Sequence, residues 1–340
     1  MDFSLTEDQQ SLRAAVERIC ARFPDAYWLD RDTKGGFPDD FHAAFAEAGF
    51  LGVAMPEAYG GSGLGITEAA IMMEAIAASG AGMSGASAIH LNIFGLNPVV
   101  VKGSEEQKAR MLPPLIQGRE KACFGVTEPD AGLDTLKIKT RAERQGDVYV
   151  VTGQKIWTST AQVADKILLL ARTTPLSFYT TLDRAHVEVR EIAKMGRKAV
   201  DSNQVFFDRL PVPAADLIGE EGRGFDIILH GLNPERILIA AEAIGLGRAA
   251  LKRATTYAKE RRVFDRAIGQ NQAIQHPLAV AWAELEAAEL MMLKAATLYD
   301  CDEPCGPYAN AAKYLAAEAG YRACETAVMT LGGMGYAREF

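Results

Sequence analysis

The sequence has no run of about 20 consecutive apolar residues, the length that a membrane-spanning helix needs, so no such span is expected. Its beginning does not read as a secretory leader, because Asp2, Glu7, Asp8 and Arg13 interrupt any apolar stretch there. Cysteine is sparse: of Cys20, Cys123, Cys301, Cys305 and Cys324 only Cys301 and Cys305 are close, and no second pair completes a metal site. All five read as thiols in a reducing, cytoplasmic setting. The five histidines have no metal-ligand spacing and no serine nucleophile motif is present, so no metal is expected. There is no block rich in Lys or Arg, and the net charge is -8. Neutralising a phosphate backbone needs a concentrated basic face, so nucleic acid is not an expected partner. A local basic group can still hold one anionic ligand. Internal repeats and low-complexity tracts are absent as well.

What remains is ordinary globular composition: 340 residues, 49% hydrophobic and 24% charged, enough for a large core and two or three domains. Residues 2–22 place Phe3, Leu5, Leu12, Val16 and Ile19 at roughly helical spacing, with Thr6 as a plausible cap. Helical patterns punctuated by Gly and Pro continue to about 118, including Ala-rich runs at 66–79 and 84–96. From Lys121 short β-rich segments take over: Ala122–Val126, Lys137–Ala142, Val148–Thr152, Lys166–Ala171, His186–Ile192 and Val205–Asp208. From Gly224 long helical patterns return. The order α, β, α predicts an α+β chain of segregated domains: an N-terminal helical domain (1–118), a small middle β-sheet or barrel domain (119–219) and a C-terminal helical bundle (220–340). The glycines of Gly245-Leu246-Gly247-Arg248-Ala249-Ala250 loosely match a dinucleotide loop. They lie inside a helical run with no strand before it, which predicts close helix packing rather than a nucleotide site.

Two stretches carry chemistry. In Gly153-Gln154-Lys155-Ile156-Trp157-Thr158-Ser159-Thr160 a large aromatic is followed by three hydroxyl residues, after the alternating Val148, Val150 and Thr152. Strand neighbours face opposite ways, so Trp157 can offer a ring while Thr158 lies beside it as a donor, which suits a flat heteroaromatic ligand. The alternative is a β-edge whose Trp fills a core. Just upstream lies Phe124-Gly125-Val126-Thr127-Glu128-Pro129-Asp130-Ala131-Gly132-Leu133-Asp134.

This pair of motifs resembles the flavin-binding signatures of the acyl-CoA dehydrogenase family, and the chain is similar to that family along essentially its whole length. The resemblance implies non-covalent FAD. Phe124, Val126 and Thr127 would line one side of the isoalloxazine ring, Trp157 would pack on it, and Thr158 would bond near its reactive nitrogen. It also implies that Arg261, Phe264 and Gln272, followed by Gly332 and Gly333, reach a neighbouring subunit's cofactor at its pyrophosphate and adenosine. A homodimer or homotetramer follows. Two substitutions depart from the family here: Met329 replaces a usual Gln and Asp265 a usual Gly. A third, Leu133 for a usual Ser, removes a polar neighbour of the CoA. The segment between Arg172 and Leu182 looks shorter than is usual.

The implied reaction removes a proton α to a thioester carbonyl while hydride leaves the β-carbon, so it needs a positioned carboxylate base. The family places its Glu either past the glycine turn, beyond the last residue of this chain, or in a Leu-x-x-Glu-Arg pattern, here Leu232-Asn233-Pro234-Glu235-Arg236. Asn233 reads as an N-cap and Pro234 as a first helical residue, which puts Glu235 in the first turn, where the helix dipole favours a carboxylate. Arg236 and Leu133 are the expected substrate contacts. The expected function is FAD-dependent oxidation of an acyl-CoA to trans-2-enoyl-CoA in fatty acid metabolism, with electrons passed to an electron-transfer flavoprotein. A flavin oxidase or monooxygenase on the same fold, and a flavin-binding form that does not turn over, are the alternatives.

Overall fold

The computed structural model describes residues 4–172 and 175–337. Along the chain come helices, then a curled sheet, then helices again. The first stretch holds α1 (Glu7–Cys20), α2 (Asp25–Lys34), α3 (Asp39–Glu47), α4 (Ile66–Ile76), α5 (Gly82–Phe94), α6 (Asn97–Lys102) and α7 (Glu105–Ile116). The second holds β1 (Ala122–Gly125), β2 (Arg141–Gln145), β3 (Val148–Ser159), β4 (Lys166–Arg172), β5 (Pro175–Thr181), β6 (Val187–Glu191) and β7 (Ser202–Pro213). The third holds α8 (Gly224–Glu260), the two-residue strands β8 (Arg262–Val263) and β9 (Arg266–Ala267), α9 (Gln272–Asp300) and α10 (Gly306–Leu331). In space the chain divides into two compact units, one of Met1–Leu29, Gly65–Ala86 and Asn233–Phe340, the other of Asp30–Leu64 and Ser87–Leu232.

In the first, helical unit, α9 and α10 meet through small residues, among them Ala281, Ala288, Ala309, Ala316 and Ala323, all fully buried. The glycines of the nucleotide-like stretch lie within α8. A Cβ on Gly245 would fall 2.2 Å from the Glu74 carbonyl oxygen, and one on Gly247 2.8 Å from a Leu285 methyl, so both serve close helix contact. Helix α4 starts at Gly65, which has no side chain to cap it. Asp300, from the end of α9, does so instead: its carboxylate accepts from Ile66 N–H at 2.7 Å, Thr67 N–H at 2.9 Å and the Thr67 hydroxyl at 2.6 Å. The buried Glu74 of α4 pairs with Arg248 (3.2 Å) and Arg13 (3.3 Å), and Arg248 also reaches Glu286 (2.8 Å) and Glu289 (2.5 Å). The helical run read from 66 to 79 is interrupted: a π-turn at Ala77–Ala81, with Gly80 at φ +95°, separates α4 from α5.

In the second unit the sheet runs β1-β4-β2-β3-β7-β6, with β5 paired to β4. β1 and β4 are parallel, whereas β2–β3, β3–β7, β4–β5 and β6–β7 are antiparallel. Tyr149, Val151, Leu169, Phe178, Phe207 and Val212 form its main core, and Leu112, Leu115, Ala122, Leu168 and Tyr179 join α7 to the sheet. Three local expectations change. Residues 135–137 make a 3-10 turn and the strand begins only at Arg141. β5 is a strand that the sequence pattern does not show; it pairs antiparallel with β4, from Lys166 with Thr181 to Arg172 with Pro175. The helix expected to begin at Asn233 begins instead at Gly224, and Asn233 lies inside the unbroken α8.

Candidate active site

β3 alternates regularly, with Tyr149, Val151 and Lys155 buried, until it meets a bulge. Lys155 pairs with Val205 and Thr158 with Asn203, so one extra residue is inserted on β3. Such bulges re-aim side chains. Here Trp157 takes φ +62° and stands 58% exposed, while Thr158 turns inward and is 1% exposed. A bulky residue in the left-handed region is an uncommon conformation that costs strain. The bulge therefore presents an indole to the outside instead of burying it in a core, which removes the core-filling alternative for Trp157. The hydroxyl of Thr158 is buried and has no hydrogen-bond partner among the described residues. Its carbonyl accepts from the Asn203 side chain at 2.9 Å.

The second motif lies against the first. Thr127 carbonyl accepts from Ile156 N–H at 2.9 Å, so the Phe124–Thr127 segment and the bulge are neighbours. Phe124, Val126 and Thr127 are half-buried. Gly153 permits the close approach of β2's lead-in, since a Cβ there would sit 2.6 Å from Thr140 Cα. Leu133 is fully exposed.

An interaction that the sequence reading missed lies beneath these residues. Lys155 Nζ donates to Glu128 Oε1 at 2.8 Å and to the Val126 carbonyl at 3.0 Å, with Lys155 1% and Glu128 4% exposed. Glu128 also accepts from Lys139 N–H at 2.5 Å and Thr140 N–H at 3.0 Å. Burial lowers the Lys155 ammonium to about 8, against the opposing pull of Glu128. Burial alone would raise the Glu128 carboxyl, but bonds from Lys155, Thr140 and Lys139 outweigh it and hold it below its ordinary value. A signal existed: strand alternation places Lys155 on the same face as Val151, where a buried lysine needs an acid.

The remaining expected site residues belong to the helical unit. β8 and β9 form a two-residue hairpin whose tip residues, Phe264 and Asp265, have φ +50° and +63°. Positive φ at both tip positions is the type I′ requirement. Asp265 therefore occupies a position where the usual Gly is explained by conformation. The tip holds Phe264 93% exposed. Arg261, at the base of this hairpin, and Gln272, which opens α9, are exposed. Gly332 (φ +59°) and Gly333 are exposed, and a Cβ on either would meet open space. The residues that precede these two segments, Tyr257 and Glu260 on one side and Leu331 on the other, line one cleft of about 400 Å³ together with Lys252 and Arg253.

Glu235 is half-buried and lies about three turns inside α8, so the expectation that it sits in a first helical turn is corrected, and with it the dipole argument. Pro234 lacks the N–H that would bond the His230 carbonyl, and the Asn97 side chain donates to that carbonyl instead, at 2.9 Å, while α8 runs on unbroken. Arg236 donates to the Asn233 side chain at 3.1 Å instead of facing a capped terminus.

Among the described residues no cluster of three or more His, Cys, Asp and Glu could hold a metal ion, and no helix is long and apolar enough to cross a membrane. A flat cofactor does fit the β unit. A buried hydroxyl awaiting an acceptor lies next to an outward indole, both fixed by one bulge.

The comparisons with known proteins agree. Three family descriptions match in order: "Acyl-CoA dehydrogenase, N-terminal domain" over residues 6–119, its middle domain over 123–210 and its C-terminal domain over 222–340. Acyl-CoA dehydrogenase FadE12 of Mycobacterium tuberculosis is 38% identical, over 99% of this chain and 89% of its own length. Butyryl-CoA dehydrogenase of Megasphaera elsdenii superimposes with a TM-score of 0.96 at 29% identity, covering 100% of this chain and 92% of that one. A chain solved in work on the electron-transferring flavoprotein of Acidaminococcus fermentans superimposes equally well, with a TM-score of 0.96 at 31% identity and coverage of 100% and 91%. Neither the oxidase nor the non-catalytic alternative is favoured by these relatives. The chain is an FAD-dependent oxidoreductase that belongs to the acyl-CoA dehydrogenase family.

Proposed function

We propose that this protein oxidises an acyl-CoA to the trans-2-enoyl-CoA and passes the electrons to an electron-transfer flavoprotein, as part of fatty acid metabolism in the cytoplasm. The observation that carries the reading is the β3 bulge, where an outward Trp157 stands beside the buried, unmet hydroxyl of Thr158. When bound, FAD supplies the hydride acceptor. Thr158 donates a hydrogen bond to the ring, Trp157 covers it, and Phe124, Val126 and Thr127 hold its other side. Because these groups are set by backbone pairing, they are oriented before the ligand arrives, which spares reorganisation during the reaction.

Arg261 is assigned the pyrophosphate, which its guanidinium fork suits, and Phe264, Gln272, Gly332 and Gly333 the adenosine. Open space above both glycines supports close backbone approach. In this reading these residues serve a neighbouring copy's FAD, in a homodimer or homotetramer. Exposed Trp282, Tyr321, Val328 and Met329 on α9 and α10 support such assembly. Glu235 is assigned the abstraction of the α-proton, with Arg236 and Leu133 at the acyl-CoA. The Leu232–Arg236 pattern and a half-buried carboxylate support it. The functional division follows residues 1–118, 119–219 and 220–340.

The test is an anaerobic titration of the purified yellow protein with a panel of acyl-CoAs, following the flavin absorption band. Stoichiometric bleaching by at least one acyl-CoA is expected. A protein that carries FAD yet bleaches with none of them, while dithionite reduces it fully, contradicts the reading.

A further inference from the structure

We propose that the buried Glu128–Lys155 ion pair is a positioning device for the cofactor, which clamps the Phe124–Thr127 segment to the Trp157–Thr158 bulge and so sets how tightly and in what orientation FAD is held. The inference rests on the reading of this unit as the FAD site. Both partners lie next to the two segments assigned to the ring: Glu128 follows Thr127, and Lys155, two residues before Trp157, is the last paired residue before the bulge. Lys155 spans the gap, donating to the Val126 carbonyl at 3.0 Å and to Glu128 at 2.8 Å. Glu128 in turn gathers the N–H groups of Lys139 and Thr140, at 2.5 and 3.0 Å, and Thr140 bonds back to the Gln154 carbonyl at 3.1 Å. One carboxylate and one ammonium thus tie together the motif loop, the lead into β2 and the strand that carries the bulge.

Stability alone is a poor reason for such a pair. Taking two charges out of water costs about as much as their attraction returns, and apolar replacements of similar volume are often neutral or better. Burial already draws the Lys155 ammonium down to about 8, so holding its charge at neutral pH is costly. What an apolar pair lacks is direction. The Ile156 N–H already ties the Thr127 carbonyl to β3, and Lys155 adds the bonds that fix the Val126 carbonyl and the Glu128 side chain relative to the strand; a site that is loose by a fraction of an ångström loses affinity through its support and not its contacts.

The experiment compares the parent, Lys155→Met, the double variant Glu128→Gln/Lys155→Met, and Asp300→Ala as a destabilised control whose lesion lies in the α4 cap. Each is freed of FAD and titrated with FAD by fluorescence, with the visible circular dichroism of the bound flavin and the melting temperature of the apoprotein recorded alongside. Lys155→Met should weaken FAD by about tenfold or more and change the shape of the visible dichroism, because the supporting layer is lost while every assigned contact remains. Asp300→Ala should lower the melting temperature yet keep FAD affinity and dichroism. The double variant, with no charge left unpaired, should regain melting temperature but not FAD affinity or dichroism, and this separates positioning from a merely structural role. Should Lys155→Met fail to fold, the double variant decides. A double variant that binds FAD like the parent, with the parent's dichroism, overturns the inference alone. A parent apoprotein that does not take up FAD overturns the underlying reading, and the inference with it.

Discussion

Replacing Thr158 by valine should move two measured quantities in opposite directions. The hydroxyl is buried and without a hydrogen-bond partner among the described residues. An unmet buried polar group costs about 1–3 kcal/mol relative to an apolar group of the same shape. Valine has that shape, so the apoprotein should become more stable by a similar amount, with packing around the 1% exposed side chain unchanged. In the proposed site, bound FAD would supply the hydroxyl's acceptor. The variant leaves that acceptor unpaired, and binding should weaken by about 1–3 kcal/mol, roughly 5- to 150-fold. Apoprotein stability can be read from urea unfolding and affinity from FAD titration. If the variant apoprotein is less stable than the parent, the hydroxyl has a partner and the argument fails. If it is more stable but binds FAD equally well, the hydroxyl does not face the cofactor.

Four further outcomes follow. Asp300→Ala should cost about 1–2 kcal/mol in unfolding experiments, because it strips the cap from α4 and leaves the Ile66 and Thr67 N–H groups without it. The Glu74 carboxyl is raised to about 7 by burial, against the pull of Arg248 and Arg13. The folded state therefore holds a proton between about pH 4.5 and 7 that the unfolded chain has lost, and stability falls as pH rises through that window. Glu74→Gln should flatten this part of the pH–stability curve, and an unchanged slope in urea titrations from pH 5 to 8 would place the proton elsewhere. Sedimentation should give a dimer or tetramer, and a strictly monomeric protein with full FAD occupancy would remove the role assigned to Arg261 and Gly332. Glu235→Gln should slow flavin reduction by about 10²–10⁴-fold.

The order of domains was legible because helix and strand periodicities differ, and runs such as Lys166–Arg172 or Ala309–Ala327 carry them plainly. The two flavin motifs were legible as sequence, but their geometry was not. The bulge depends on which residue of β7 faces Lys155, a long-range register that no local pattern encodes. β5 escaped because Pro175, Ser177, Thr180 and Thr181 look like loop residues, and its burial comes from pairing with β4. Asn233-Pro234 looked like a helix start for sound local reasons. The His230 carbonyl left without its helical donor is met by Asn97, far away in sequence, a contact that no local pattern shows. The Glu128–Lys155 pair joins residues 27 apart and was likewise invisible until the strands were placed.

The most direct test of the central claim is anaerobic rapid mixing of the FAD-loaded protein with the acyl-CoA that bleaches it best, for the parent and for Glu235→Gln. The account predicts that both bind FAD and acyl-CoA, that the parent's flavin band bleaches in a single turnover, and that the variant's reduction is slower by about 10²–10⁴-fold. A variant that reduces within about tenfold of the parent would contradict the assignment of Glu235 as the base, since general-base removal costs more than that.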